Sequence, residues 1–309
     1  MITDKLHCID LDQPKQRGFR RFISAWLLRE ENFTVLVDPG PLSTIEHLVG
    51  ELRRLGVGRI DYILLTHIHI DHAGGTGRLL EYYPAAQVVC HPDGVKHMVD
   101  PRRLWQGSLK VLGSLAQTYG EIIAVPEKNI LTATALGDTG ISVHHTPGHA
   151  VHHLCFSYKN LLFGGEVCGV HSEVEQGIYM RPATPPRFIL EVALESIDKM
   201  MALKPEFMVI AHHGLVQPAL EYLRIGRRQL LLWLQAVALS RTVASPQREK
   251  EIRAWLLDHD EVFANINQLP EDIRAREDYF MANSLRGMID YCNGLSEKRQ
   301  MELAAASWF

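Results

Sequence analysis

Apolar residues along the first part of the chain fall in short runs that suit strands, separated by segments with helical spacing. Residues 23–28 and 34–37 read as two strands around the charged turn Arg29-Glu30-Glu31-Asn32, and Asp38-Pro39-Gly40-Pro41 closes the second. Ile45, Leu48, Leu52 and Leu55 then recur at every third or fourth position, which predicts a helix over 43–55 with Ser43 as its N-cap. A buried-type strand follows over 61–66, a helix over 78–83 and a strand over 87–90. Apolar residues between 93 and 120 favour helices divided near Pro101. Strands return over 141–146, 151–158 and 161–165, the last two joined by Lys159-Asn160. A proline-rich loop leads to a helix over 187–203 and a strand over 207–211. From Pro218 onward the strand pattern stops, and helical patterns cover 220–239, 247–257 and 282–295. The expected organisation is an α/β domain over 1–217 with a helical C-terminal extension over 218–309.

Composition narrows the classes. With 309 residues, 46% of them hydrophobic and 22% charged, the chain is globular and long enough for one large domain or a large and a small one. A net charge of −4 supplies no global attraction to nucleic acid or anionic lipid, and Arg224, Arg227 and Arg228 read as a solvated helix face. Cys8, Cys90, Cys155, Cys168 and Cys292 form no C-x-x-C pair, which argues against a disulfide framework or a thiolate zinc knuckle. A reducing cytoplasm is the compartment this pattern fits. Residues 1–5 lack the basic start and apolar run of a secretory signal. The apolar stretch 230–239 is too short to span a bilayer. The unusual figure is 16 histidines, five of them between His144 and His153.

The decisive segment is Thr66-His67-Ile68-His69-Ile70-Asp71-His72-Ala73-Gly74-Gly75. Three imidazoles and a carboxylate crowd into six positions directly after an apolar strand, so a strand-to-loop turn must present them. Held together, the imidazoles would repel one another if protonated and waste polar groups if buried without partners. A divalent cation removes both problems, and nitrogen and oxygen donors suit zinc, with iron or manganese as alternatives. A solvated polar loop would account for one such pair but not for the whole H-x-H-x-D-H string.

This string resembles the signature of the metallo-β-lactamase superfamily. Four further segments match in order: Val35-Leu36-Val37-Asp38-Pro39-Gly40, Thr146-Pro147-Gly148-His149, Phe163-Gly164-Gly165-Glu166 and Ala211-His212-His213-Gly214. The resemblance spans about residues 20–215 and implies an αββα sandwich with two divalent metal ions at one edge of its sheets. It implies His67, His69 and His149 as ligands of the first ion and Asp71, His72 and His213 as ligands of the second. Glu166 would bridge them, in place of the family's usual Asp. At the family's Gly-His-Gly this chain reads His212-His213-Gly214, which favours His213 and leaves His212 a neighbour. His144 and His145 read as partly exposed strand residues. His153 is a candidate to hydrogen-bond a ligand from outside, and His171 lies just past Glu166. The resemblance also implies hydrolysis by a metal-bound hydroxide, with Asp71 as ligand and as the group that orients the hydroxide's proton. Cys168 reads as a small strand-end residue.

The missing secretory signal argues against a periplasmic β-lactamase, and the lack of a basic arm against a nuclease. The absence of a flavodoxin-like domain argues against a flavodiiron relative. What remains is a glyoxalase II-like hydrolase of a small acyl compound, a thioester, lactone or related ester. A phosphodiesterase of the same fold and a metal-dependent sensor without turnover are the alternatives. The expected partner is a small-molecule substrate, with no nucleic acid and no membrane. The insertion over 93–120, with His97, Met98, Trp105 and Tyr119, is a candidate lid or pocket wall, with ordinary helix packing as the alternative. The apolar run Leu230-Leu231-Leu232-Trp233-Leu234 needs a buried partner, either within the chain or in a homodimer.

Overall fold

The fold was read from a computed structural model, which describes residues 2–212 and 214–307. The chain divides into two compact units: the first takes residues up to 145, 151–165 and 211–212, and the second takes 146–150, 166–210 and 214 onward. The C-terminal helices thus belong with the segments that carry residues 146–150 and 166–210.

In the first unit, strands β1 (Leu6–Asp10), β2 (Ser24–Arg29) and β3 (Thr34–Val37) pair antiparallel. Helix α1 (Ile45–Arg54) carries the chain to β4 (Tyr62–Leu64), which joins β3 in parallel. The short helix α2 (Ile70–Ala73) and then α3 (Thr76–Tyr82) lead to β5 (Gln87–Val89), parallel to β4. Helices α4 (Pro92–Val99), α5 (Arg102–Leu112) and α6 (Ser114–Tyr119) precede β6 (Ile130–Leu131), which closes a six-stranded sheet in the order β1-β2-β3-β4-β5-β6. Strands β7 (Ser142–His145), β8 (Leu154–Tyr158) and β9 (Leu161–Gly165) follow, with β8 antiparallel to both neighbours. The strands are rich in branched and aromatic residues, and their core members Leu27, Leu36, Ile63, Val88, Phe156 and Phe163 are fully buried.

The second unit holds the hairpin of β10 (Val170–Val174) and β11 (Gly177–Arg181), helix α7 (Leu190–Ala202), and the pair β12 (Phe207–Ile210) and β13 (Leu215–Val216). Helices α8 (Ala219–Leu239), α9 (Gln247–His259), α10 (Glu261–Ala264), α11 (Glu271–Asn293) and α12 (Glu297–Ala305) complete it. The apolar run of α8 finds its partners inside the chain. Trp233 is fully buried, stacks edge-on against Phe263 at 5.0 Å and donates its indole N–H to Asp260 at 3.0 Å. Among the described residues no helix is long and apolar enough to cross a membrane.

Three expectations change. Ser43 does not cap α1: Thr44 stands at the N-cap, and the Ser43 hydroxyl donates to Gln13 instead. The last long helix begins at Glu271, well before the expected 282, and in its charged first half Arg276 and Glu277 are buried as an ion pair. The hairpin of β10 and β11 was not foreseen. The break near Pro101 is present, and a second falls at Gly113, whose φ of +57° ends α5.

Candidate metal centre

The His-rich segment leaves β4 at Leu64; the loop 65–69 carries His67 and His69, the latter as N-cap of α2, and the helix presents Asp71 and His72. Glycines make the turn possible. A Cβ on Gly74 would stand 2.4 Å from the Ile70 carbonyl oxygen, and one on Gly75 would stand 2.3 Å from Ile45. The backbone also stitches this segment to the Asp38-Pro39-Gly40 loop: Gly40 N–H donates to His72 O at 2.9 Å, and Gly75 N–H to Gly40 O at 2.8 Å.

Asp38 is the organising group of the first unit. It sits at φ +49°, a left-handed conformation that Asp tolerates better than most residues, and it is 3% exposed. Its carboxylate accepts the Thr66 backbone N–H at 2.8 Å, the Thr66 hydroxyl at 2.6 Å and His72 Nδ1 at 3.1 Å. The Thr66 hydroxyl has one proton, and it goes to the acceptor-only carboxylate. Its oxygen therefore accepts from His67 Nδ1, 3.1 Å away. Asp38 so fixes two imidazoles, His72 directly and His67 through Thr66, with the proton on Nδ1 and a lone pair on Nε2. That is the state a metal-binding imidazole requires.

Asp71, His72 and His212 come together in this unit, each offering a ligand atom within 4.8 Å of the others. His72 Nε2 is 3.6 Å and His212 Nε2 3.8 Å from the same Asp71 carboxylate oxygen. The His212 ring stacks on Phe22 at 4.2 Å, which fixes its plane. His213, the ligand expected from the sequence, lies outside the described residues. The ring centroids of His67 and His69 are 4.6 Å apart. His153 is fully buried 5.6 Å from the His67 ring, and a Cβ on Gly165 would strike it at 2.4 Å. His152 lies 5.5 Å from the His69 ring. His144 bonds Ser157 at 2.8 Å, and His145 faces His91 at 4.6 Å.

In the second unit, His149 and Glu166 form a pair. His149 Nδ1–H donates to the Ala183 carbonyl at 3.0 Å, which turns Nε2 toward Glu166 Oε2, also 3.0 Å away. Glu166 is 6% exposed. A neutral imidazole would set a lone pair against the carboxylate here, and a proton or a cation between the two atoms removes that repulsion. The separation is close to the roughly 3.3 Å between two donors on one small divalent ion. His171 is buried edge-on to Tyr222 at 5.4 Å. Burial pushes the Cys168 thiol up to about 12, so it is no nucleophile at neutral pH.

In both units the donors are imidazole nitrogens and carboxylate oxygens, and three of the imidazoles are oriented by a hydrogen bond to an accepting oxygen: Asp38 for His72, Thr66 for His67 and the Ala183 carbonyl for His149. The chemistry fits a divalent cation. The profile of the metallo-β-lactamase superfamily matches residues 18–212, which carry the His string, Glu166 and His212. The chain belongs to this superfamily. The metallo-β-lactamase fold-containing protein of Sulfurisphaera tokodaii is 30% identical over 210 residues, covering 65% of this chain and 76% of the relative. The hydroxyacylglutathione hydrolase of Aeromonas salmonicida is 30% identical over 141 residues, 46% of this chain and 44% of that enzyme. Among solved structures, an archaeal metallo-β-lactamase superfamily protein from Sulfolobus tokodaii superposes with a TM-score of 0.68 at 24% identity, covering 92% of this chain and 98% of the other. A metallo-β-lactamase family protein of Thermus thermophilus gives 0.64 at 18% identity over 94% and 93%. The superfamily is one of metal-dependent hydrolases, and the fold is the metallo-β-lactamase fold with a helical C-terminal region.

The sequence reading overlooked Asp38 and Thr66 as the groups that orient the string, and the Ala183 carbonyl as the partner of His149. A signal existed for Asp38: a carboxylate closing a buried strand, one motif ahead of the histidines. Nothing in the local sequence marks Ala183.

Proposed function

We propose that the chain is a dinuclear metal-dependent hydrolase of small acyl compounds, thioesters or lactones, working in the cytoplasm. The observation that carries this reading is the Asp71–His72–His212 cluster, with His72 held by Asp38 in its metal-binding tautomer. In the first unit Asp71, His72 and His212 would hold one ion, with His67 and His69 as further candidate ligands, and in the second unit His149 and Glu166 are the candidate ion-binding pair. Zinc suits these donors, and manganese or iron is the alternative. When bound, such ions make water acidic enough to attack at neutral pH and polarise the oxygen of the scissile group.

The chain's own groups supply the rest. Asp71 retains a carboxylate oxygen to take up a proton, as its side chain is 15% exposed and not saturated by the Asp38 network. Helix α5 packs against α2, which carries Asp71 and His72. It keeps Leu104, Trp105, Leu109 and Leu112 half-buried and leaves Val111 59% exposed, an apolar wall suited to an acyl group. From the same insertion, Met98 and Tyr119 are core residues. Arg227 and Arg228 are tied to Asp198 at 2.7 Å and Glu261 at 3.3 Å, which reduces what that helix face offers a phosphodiester. The hydroxyacylglutathione hydrolase among the relatives points the same way.

The test is a panel of thioester, lactone and phosphodiester substrates offered to zinc- and manganese-loaded protein. Acyl hydrolysis that disappears in His67→Ala supports the reading. Activity on phosphodiesters alone would overturn it.

A further inference from the structure

Within the second unit, helix α11 reaches the His149–Glu166 pair through one short segment, residues 181–184. The Ala183 carbonyl receives His149 Nδ1–H, and the residues on either side of it are gripped by helix α11. Arg181 Nε donates to Glu277 at 2.6 Å, a pair buried completely beside Arg276, whose own contact with Glu277 is 2.8 Å. The Ser284 hydroxyl donates to Pro182 O at 3.0 Å, and the Thr184 hydroxyl donates to Ser284 O at 3.1 Å. Thr184 N–H points at Ser284 Oγ, 3.3 Å away. Gly287 lies so close that a Cβ there would stand 2.1 Å from Thr184 O. Residues 277, 284 and 287 share one helix face by their spacing. The turn bearing Glu166 leans on the same segment: Gly169 N–H donates to Glu166 O at 3.1 Å, and a Cβ on Gly169 would stand 2.1 Å from Arg181 O.

We propose that α11 is a brace for the ion-binding pair His149 and Glu166, and that Ser284 and Gly287 are positioning residues for it. The grip on both sides of Ala183 fixes the direction of one carbonyl, and that carbonyl fixes the ring of His149. Ser284 satisfies three backbone and side-chain groups of the segment with a single hydroxyl and a single carbonyl. Gly287 sets how near the helix stands. Ligand geometry in this half is therefore set by a helix more than a hundred residues later in the chain. The proposal rests on the metal reading given above.

The experiment measures zinc stoichiometry and affinity, by chelator competition on full-length protein, for wild type and four variants. Ser284→Ala and Gly287→Ala test the brace. Ile252→Ala, a fully buried position on α9 away from residues 181–184, controls for lost stability. His149→Ala reports whether the pair binds metal at all. The expected result is that Ser284→Ala and Gly287→Ala weaken one of two ions by about ten-fold, the scale of groups that orient ligands, and leave the second unchanged. Ile252→Ala should bind like wild type at equal or greater loss of thermal stability. If His149→Ala loses an ion while Ser284→Ala binds like wild type, the brace is overturned and the metal reading stands. A weakening in Ile252→Ala equal to that in Ser284→Ala also overturns it. If His149→Ala changes nothing, the metal reading itself has failed. Should Gly287→Ala not fold, Ser284→Ala decides alone, since it removes a hydroxyl and adds no bulk.

Discussion

The two units present their candidate ligands by different means. In the first, Asp38, Thr66, His67 and His72 lie within one strand-turn-helix passage and its neighbouring loop, and Asp38 holds His72 directly and His67 through Thr66 by side-chain hydrogen bonds. In the second, His149 and Glu166 depend on a carbonyl and a turn whose position is set by α11. The first arrangement is compact in sequence and rests on charge. The second is dispersed and rests on packing and backbone bonds. A substitution in the first should therefore act on binding with modest effects on folding, and one in the second should couple the two.

The largest effect expected is from His72→Ala, which removes a candidate ligand of the first unit. Loss of several kcal/mol of electrostatic stabilisation corresponds to a fall in hydrolysis on the order of 10³-fold. Single-turnover kinetics on metal-loaded protein checks it, and a variant within ten-fold of wild type would break the assignment. Next is Glu277→Gln, which leaves Arg181 and Arg276 buried without their carboxylate. Breaking a buried pair in this way costs about 3–5 kcal/mol, to be read in urea unfolding. Unchanged stability would remove the contrast between the units.

Asp38→Asn comes third. It keeps the shape but loses an acceptor that two imidazoles share, so zinc affinity should fall by about 10- to 100-fold while the unfolding midpoint moves little. A large stability loss with intact affinity would reverse the roles drawn for the two regions. The smallest effect concerns Glu30, in the turn after β2, whose carboxylate pairs with Lys5 and Lys159. Burial alone would raise its carboxyl, but Lys5, Lys159 and Tyr158 outweigh that and hold it down at about 2. Its stabilising contribution is present above its ordinary value of 4.5 and lost as pH falls toward about 2. Acid unfolding of Glu30→Gln should be flatter over that window than that of wild type, with zinc affinity at neutral pH unchanged.

The same contrast explains what the sequence made legible. The H-x-H-x-D-H string is contiguous, so its chemistry could be read without any tertiary knowledge, and the strands at 23–28, 34–37 and 161–165 follow from apolar periodicity. The first half of α11 was missed because Arg276 and Glu277 are buried by pairing with each other and with Arg181, which inverts the usual pattern of polar residues outside. Adjacent identical residues matter at another point: the motif favours His213, which lies outside the described residues, while stacking on Phe22 and the approach to Asp71 bring His212 into the described cluster. Ser43 looked like a cap because it precedes an apolar periodicity, yet Gln13, thirty positions earlier, takes its hydroxyl.

The shared use of Asp38 also bears on transplanting this site. A designer who copied only the ten residues from Thr66 to Gly75 into a new scaffold would carry the donors but leave their ring orientation to chance. The smallest portable unit has two pieces, the 38–40 loop and the 66–75 turn, with the left-handed bend at Asp38 and the two backbone bonds that fasten Gly40 to His72 and Gly75.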